Sequence, residues 1–136
     1  MTSKLIYIYF GIICIFLTNC VTVDPIEGQT SFSIENMTKE YIKILYTYGE
    51  NVGSLSGTSD YIVIDPNMTS VLDIFRGGDP THKPSYIYGR IIFISSQNDT
   101  LYNMSNINND EWILTDSIKD YGGYQVGYYH WLYKFK

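Results

Sequence analysis

The feature that most constrains this chain is the spacing of its apolar residues, which alternate with polar ones in short runs from Ser31 to the end. A period of two places successive side chains on opposite faces of an extended strand. Ile42, Ile44, Tyr46 and Tyr48 share one face, while Tyr41, Lys43, Leu45 and Thr47 share the other. Phe32 and Ile34 alternate with serines and Glu35 before Asn36-Met37-Thr38 closes that run. Asp60–Asp65 is a short run of β-formers ended by Pro66-Asn67, and Val71–Phe75 predicts another strand. In Ser85–Ser96 the residues Ile91 to Ile94 predict a strand covered on both faces. Leu101–Met104 predicts a brief strand, and Trp112–Leu114 and Ile118–Tyr121 two weaker ones. The last run is the cleanest: Tyr129, Trp131, Tyr133 and Phe135 alternate with His130, Leu132, Lys134 and Lys136.

The connections are equally plain. Gly49–Gly57 is rich in glycine, and Arg76–Pro84 holds two glycines and two prolines, which excludes both helix and inner strand. No stretch after residue 30 carries apolar residues at i, i+3, i+4 and i+7 over three turns. About seven short strands separated by turns predict an all-β domain, an antiparallel β-sandwich or a small barrel. The composition agrees, with 45% apolar residues, 17% charged ones and fourteen tyrosines among 136 residues. A net charge of −5 argues against a surface for nucleic acid, since nothing would neutralise phosphates.

The N-terminus reads as an address. Leu5–Leu17 is an uncharged run behind Lys4. As a helix it would span about 20 Å, short of a hydrocarbon core of about 30 Å. That length suits the apolar region of a secretory signal. Leu17-Thr18-Asn19-Cys20 then resembles the lipobox of bacterial lipoproteins, with Asn19 where Gly, Ala or Ser is usual. The resemblance implies a signal peptide over 1–19, cleavage before Cys20 and lipid on its sulfur, palmitate among the acyl groups. It also implies a tether over 20–30 and one β domain over 31–136. Cys14 would leave with the signal, so no disulfide would form within the mature chain.

Reactive constellations are sparse. His82 and His130 lack metal-ligand spacing, there is no CxxC, and no metal or cofactor is expected. His82 reads as a solvated loop residue. Asp60, Asp65, Asp73 and Asp79 read as single acids near strand ends, serving turns and edges. Gly53-Ser54-Leu55-Ser56-Gly57 centres on Leu55, so it is not a nucleophile elbow. The unusual resource is aromatic: Tyr128, Tyr129 and Trp131 are the candidate ligand-binding residues, able to stack on sugar or anchor a protein. Asn-x-Ser/Thr triplets begin at Asn36, Asn67, Asn98 and Asn103.

The chain from Ser31 on resembles the small lipoproteins of Bacteroides-type bacteria. The likeness lies in the lipobox, the opening Ser33-Ile34-Glu35-Asn36, Asp65-Pro66-Asn67 before a strand, Asn98-Asp99-Thr100-Leu101 after an apolar strand, and the aromatic closing strand. A single Asp24 stands where that group's surface-export signal has an acidic cluster. Asp99-Thr100-Leu101 and Asp116-Ser117-Ile118 resemble the O-glycosylation signal of these bacteria, which would make Thr100 and Ser117 acceptors. The resemblance implies a β domain held to the inner or outer membrane through lipidated Cys20, facing the periplasm or the cell surface. The expectation is a non-catalytic envelope module whose partner is a glycan or an envelope protein. Two other classes stay open: a soluble secreted N-glycosylated β-sandwich of a eukaryote or virus, and a small envelope hydrolase using dispersed residues such as Asp73 and His130.

Overall fold

The computed structural model describes residues 27–78 and 81–136; the signal run, the lipobox and Asp79 lie outside them. Eight strands form two four-stranded sheets, a sandwich and not a closed barrel. They are β1 (Gln29–Asn36), β2 (Ile42–Tyr48), β3 (Ser59–Ile64), β4 (Thr69–Arg76), β5 (Tyr88–Ile94), β6 (Thr100–Met104), β7 (Trp112–Asp120) and β8 (Gln125–Phe135). One sheet has the order β4-β1-β8-β7, the other β3-β2-β5-β6. A single helical turn, α1 (Pro84–Ile87), starts with proline where no backbone donor is needed and leads into β5. β1 begins two residues inside the stretch expected to be tether.

Two expectations need correction. Strands β1 and β8 pair in parallel, Gln29 opposite Tyr128 through Asn36 opposite Phe135, while the other five ladders are antiparallel. The two weak candidates around residues 112–121 are one nine-residue strand, β7. Its polar middle, Thr115-Asp116-Ser117, stays extended because every residue of β7 is laddered to β8.

The alternation seen in the sequence becomes the core. Phe32 and Ile34 of β1, Ile42, Ile44, Tyr46 and Tyr48 of β2, and Ile91 and Phe93 of β5 are buried between the sheets. Ile92 and Ile94, expected to be covered, are only half-buried. Aromatic rings run through the core in edge-to-face and stacked contacts. Phe32 meets Tyr88 edge-on at 5.5 Å, Tyr88 stacks with Trp112 at 6.4 Å, and Phe93 stacks on Phe135 at 4.4 Å.

Asn36 ties one end together. It is fully buried, and its Nδ2 donates to the carbonyls of Glu40 (2.7 Å) and Ile64 (3.0 Å). Its Oδ1 accepts from the Thr38 backbone N–H (3.0 Å) and the Thr38 hydroxyl (2.7 Å). The amide therefore uses both donors and both acceptor sites, joining the β1–β2 turn to the end of β3. Such an amide has no room for a glycan. Asn36→Ala is expected to cost about 2–4 kcal/mol, because the groups around it would be buried without partners; urea unfolding at pH 7 measures the loss.

Candidate functional site

Asp73 is half-buried and turned toward the second sheet, against the expectation of a strand-end acid. Two β-bulges put it there. Phe32 lies opposite Asp73 but Ser33 lies opposite Val71, so Leu72 is an extra residue in β4. Leu72 and Asp73 both turn inward, while Val71 and Ile74 are exposed. In the other sheet Thr47 pairs with Arg90 but Tyr48 pairs with Tyr88, which leaves Gly89 unopposed. That second bulge sets Tyr48 and Tyr88 side by side, stacked at 6.1 Å. The Tyr48 hydroxyl donates to Asp73 Oδ1 (2.7 Å) and the Tyr88 hydroxyl to Oδ2 (2.8 Å). The Tyr46 hydroxyl donates to the Leu72 carbonyl at 3.4 Å.

Burial raises the pKa of Asp73 above its ordinary value, and the two phenol hydrogen bonds offset part of that rise. Burial, with the Asp73 charge, pushes Tyr46 up to about 12 and raises Tyr48 and Tyr88 well above the ordinary phenol value. Both carboxylate oxygens are engaged, so the group works as a clasp between the sheets. His130 lies on the outer face of β8, where its Nδ1 and the Ser31 hydroxyl are 2.9 Å apart. Asp73 and His130 thus sit on opposite faces of one sheet. His82 is half-buried, its ring between Phe75 and Tyr86, instead of a freely solvated loop residue. Among the described residues no group of three His, Cys, Asp or Glu side chains is arranged to hold a metal ion.

The aromatic candidates separate. Trp131 is buried in the core beside Phe32, so its ring offers no exposed platform. Tyr128 and Tyr129 are half-buried and belong to the distal part of the β7–β8 hairpin. From Ile113 to Asp120 every residue of β7 is exposed. Ile118 is 62% exposed and Tyr124, at the tip, 78%. The tip is Tyr121-Gly122-Gly123-Tyr124, closed by the Tyr121 N–H donating to the Tyr124 carbonyl at 2.9 Å. Gly122 (φ 67°) and Gly123 (φ 100°) both need the left-handed region, which a tight two-residue hairpin turn demands. On the outer face the Lys119 ammonium lies 5.0 Å from the Tyr128 ring centre, and the Tyr121 and Tyr128 hydroxyls are 3.5 Å apart.

The root of the hairpin is fixed by glycines that sequence reasoning passed over. The Gly77 N–H donates to the Gly28 carbonyl at 2.8 Å. Gly28 and Gly78 both press against the Gly127 carbonyl, and a Cβ on either would overlap it. Three distant glycines thus lock the start of β1 to β8. Thr100 and Ser117, the two O-glycosylation candidates, are exposed. So are Asn67 and Asn98, both at positive φ in turns, and Asn103. No described helix is long and apolar enough to cross a membrane. No family model matches the chain, and neither does any curated protein or solved structure.

Two pH effects follow. The raised Asp73 pKa means that the folded state holds its proton more tightly than the unfolded chain does. Wild type should therefore lose stability relative to Asp73→Asn as pH rises from about 4 through that pKa; paired urea titrations at pH 4, 6 and 8 read the difference. The phenols act in the same sense at high pH. Unfolded tyrosines ionise near 10, so the stability held by Tyr46, Tyr48 and Tyr88 should fall as pH climbs from about 10 past 12. Absorbance titration should show a late class of tyrosines that ionises together with loss of near-UV circular dichroism.

Proposed function

We propose that this protein is a lipid-anchored, non-catalytic binding or structural module of a bacterial cell envelope, facing the periplasm or the cell surface. The observation that carries the reading is the uncharged Leu5–Leu17 run ending in Leu17-Thr18-Asn19-Cys20. Each buried CH₂ of an acyl chain contributes about 0.8 kcal/mol, so two or three chains on Cys20 hold a domain to the bilayer permanently. β1 starts at Gln29, only nine residues beyond Cys20, which supports a domain carried close to the lipid. The engagement of Asp73 by two phenols and the distance in the fold between it and His130 favour a module without a hydrolytic centre. The exposed tyrosines of the β7–β8 hairpin are the surface such a module offers to a glycan, an envelope protein or the membrane itself.

Intact mass and N-terminal peptide analysis of protein purified from its own membrane fraction tests this. The expected product begins at Cys20 and carries diacyl or triacyl mass, and Cys20→Ser moves the protein to the soluble fraction. A chain that begins elsewhere, bears no lipid and carries hexose at Asn67, Asn98 or Asn103 would instead establish a secreted glycoprotein.

A further inference from the structure

We propose that the Tyr121–Tyr124 tip of the β7–β8 hairpin is a second membrane contact, seated in the zwitterionic headgroup layer of the bilayer that holds Cys20. The inference rests on the lipid-anchor reading of Cys20 and adds an orientation to it.

The first argument is position. Gln29, Tyr128 and Ser117 lie level with one another across the sheet. From that level β1 runs into the domain, whereas the hairpin continues the opposite way through Asp120 and Gln125 to its glycine turn. Three further residue pairs at about 3.3 Å each carry the tip roughly 10 Å beyond the start of β1. The hairpin therefore points back toward the place from which the chain enters. The packing of Gly28 and Gly78 against Gly127 fixes that relation at its root.

The second argument is reach. Eight residues, nine Cα steps, lie between Cys20 and Gln29. A stretch of that length can reach at most about 30 Å. A tip standing some 10 Å outward on the same end falls within that distance of the lipid surface.

The third argument is chemistry. Tyr124 is 78% exposed, Ile118 62% and Tyr121 40%, at the end of an arm uncovered by the second sheet. Tyrosine has an apolar ring and a polar tip, which suits it to the boundary between headgroups and acyl chains. Along β7, Asp116 and Asp120 are set against Lys119, so no basic cluster draws the hairpin to anionic lipid. Two tyrosines and an isoleucine would hold a free protein weakly. On a short tether the contact becomes intramolecular, with an effective concentration in the millimolar range, and it then decides orientation instead of attachment. So oriented, the sandwich turns its opposite end outward, where a depression of about 510 Å³ is lined by Tyr41, Ile42, Leu101 and Phe135.

The test uses the full chain, processed by its host, purified with whatever it carries on Cys20 and reconstituted in vesicles of phosphatidylcholine and phosphatidylethanolamine. Tyr124→Trp places a reporter at the tip and Tyr41→Trp places one at the far end; the signal of Trp112 and Trp131 is subtracted with wild type. Brominated phosphatidylcholine should quench the tip reporter at least about twofold more than the far reporter, with little change on raising salt. Should Tyr124→Trp fail to fold, Tyr121→Trp serves as the tip reporter. Equal quenching at both ends, with lipid mass present on Cys20, overturns the second contact and leaves the anchor standing. A protein partner on the hairpin would give that result. Absence of lipid on Cys20 overturns the anchor and the second contact together.

Discussion

The carboxylate of Asp73 is the point on which the sandwich turns. It comes from one sheet and accepts hydrogen bonds from two phenols of the other, so a charge-capable group sits between the sheets among aromatic and aliphatic side chains. Interior carboxyls are costly, and burial here raises the pKa in the way that cost demands. The geometry that offsets it is specific. One bulge turns Asp73 inward beside Leu72, and another brings Tyr48 level with Tyr88. Slipping either strand by one residue would send the acid or its donors to the solvent face. A purely oily interface between the sheets would tolerate several registers; this one distinguishes among them.

The bulges also explain what was legible in the sequence and what was not. Alternation located seven of the eight strands to within a few residues, because each has a buried face and polar neighbours. It went wrong where the phase breaks. In Val71-Leu72-Asp73-Ile74-Phe75 strict alternation groups Asp73 with Val71, yet the extra residue groups it with Leu72. Alternation divides β7 in two because the hydrophobic signal lapses where both of its faces meet water. Nothing local marks β1 and β8 as parallel neighbours, since that pairing joins residues about a hundred positions apart. The aromatic cluster of the C-terminal strand was visible, but periodicity could not tell that Trp131 faces the core while Tyr121 and Tyr124 lie on an uncovered arm. The three glycines at the root of the hairpin are unremarkable singly and acquire meaning only in contact.

The domain has two unlike ends. At one, Asn36 satisfies the turn after β1 and the end of β3 with all four of its hydrogen-bonding sites, and the Lys134 ammonium meets the Glu35 carboxylate at 3.1 Å. At the other, backbone packs on backbone through glycine, and the longest ladder of the fold runs out past its partner sheet. The first end is stitched by polar groups that are already matched. The second leaves the rings of Tyr121 and Tyr124 and the side chain of Ile118 exposed to solvent.

The parallel union of the first and last strands bears on how the molecule is made. β1 is central in its sheet, flanked by β4 and β8, and half of its hydrogen-bonding groups await residues 128–135. The sheet therefore stays open until the whole chain is present, and closing it brings together segments separated by nearly the full length of the domain. Such topologies fold on the slow side, in milliseconds to seconds, because loop closure must come before its reward. The delay falls on β1 and β4 alone: the other sheet, β3-β2-β5-β6, has all of its strands once residue 104 is present, so it can stand as a platform on which the later sheet closes.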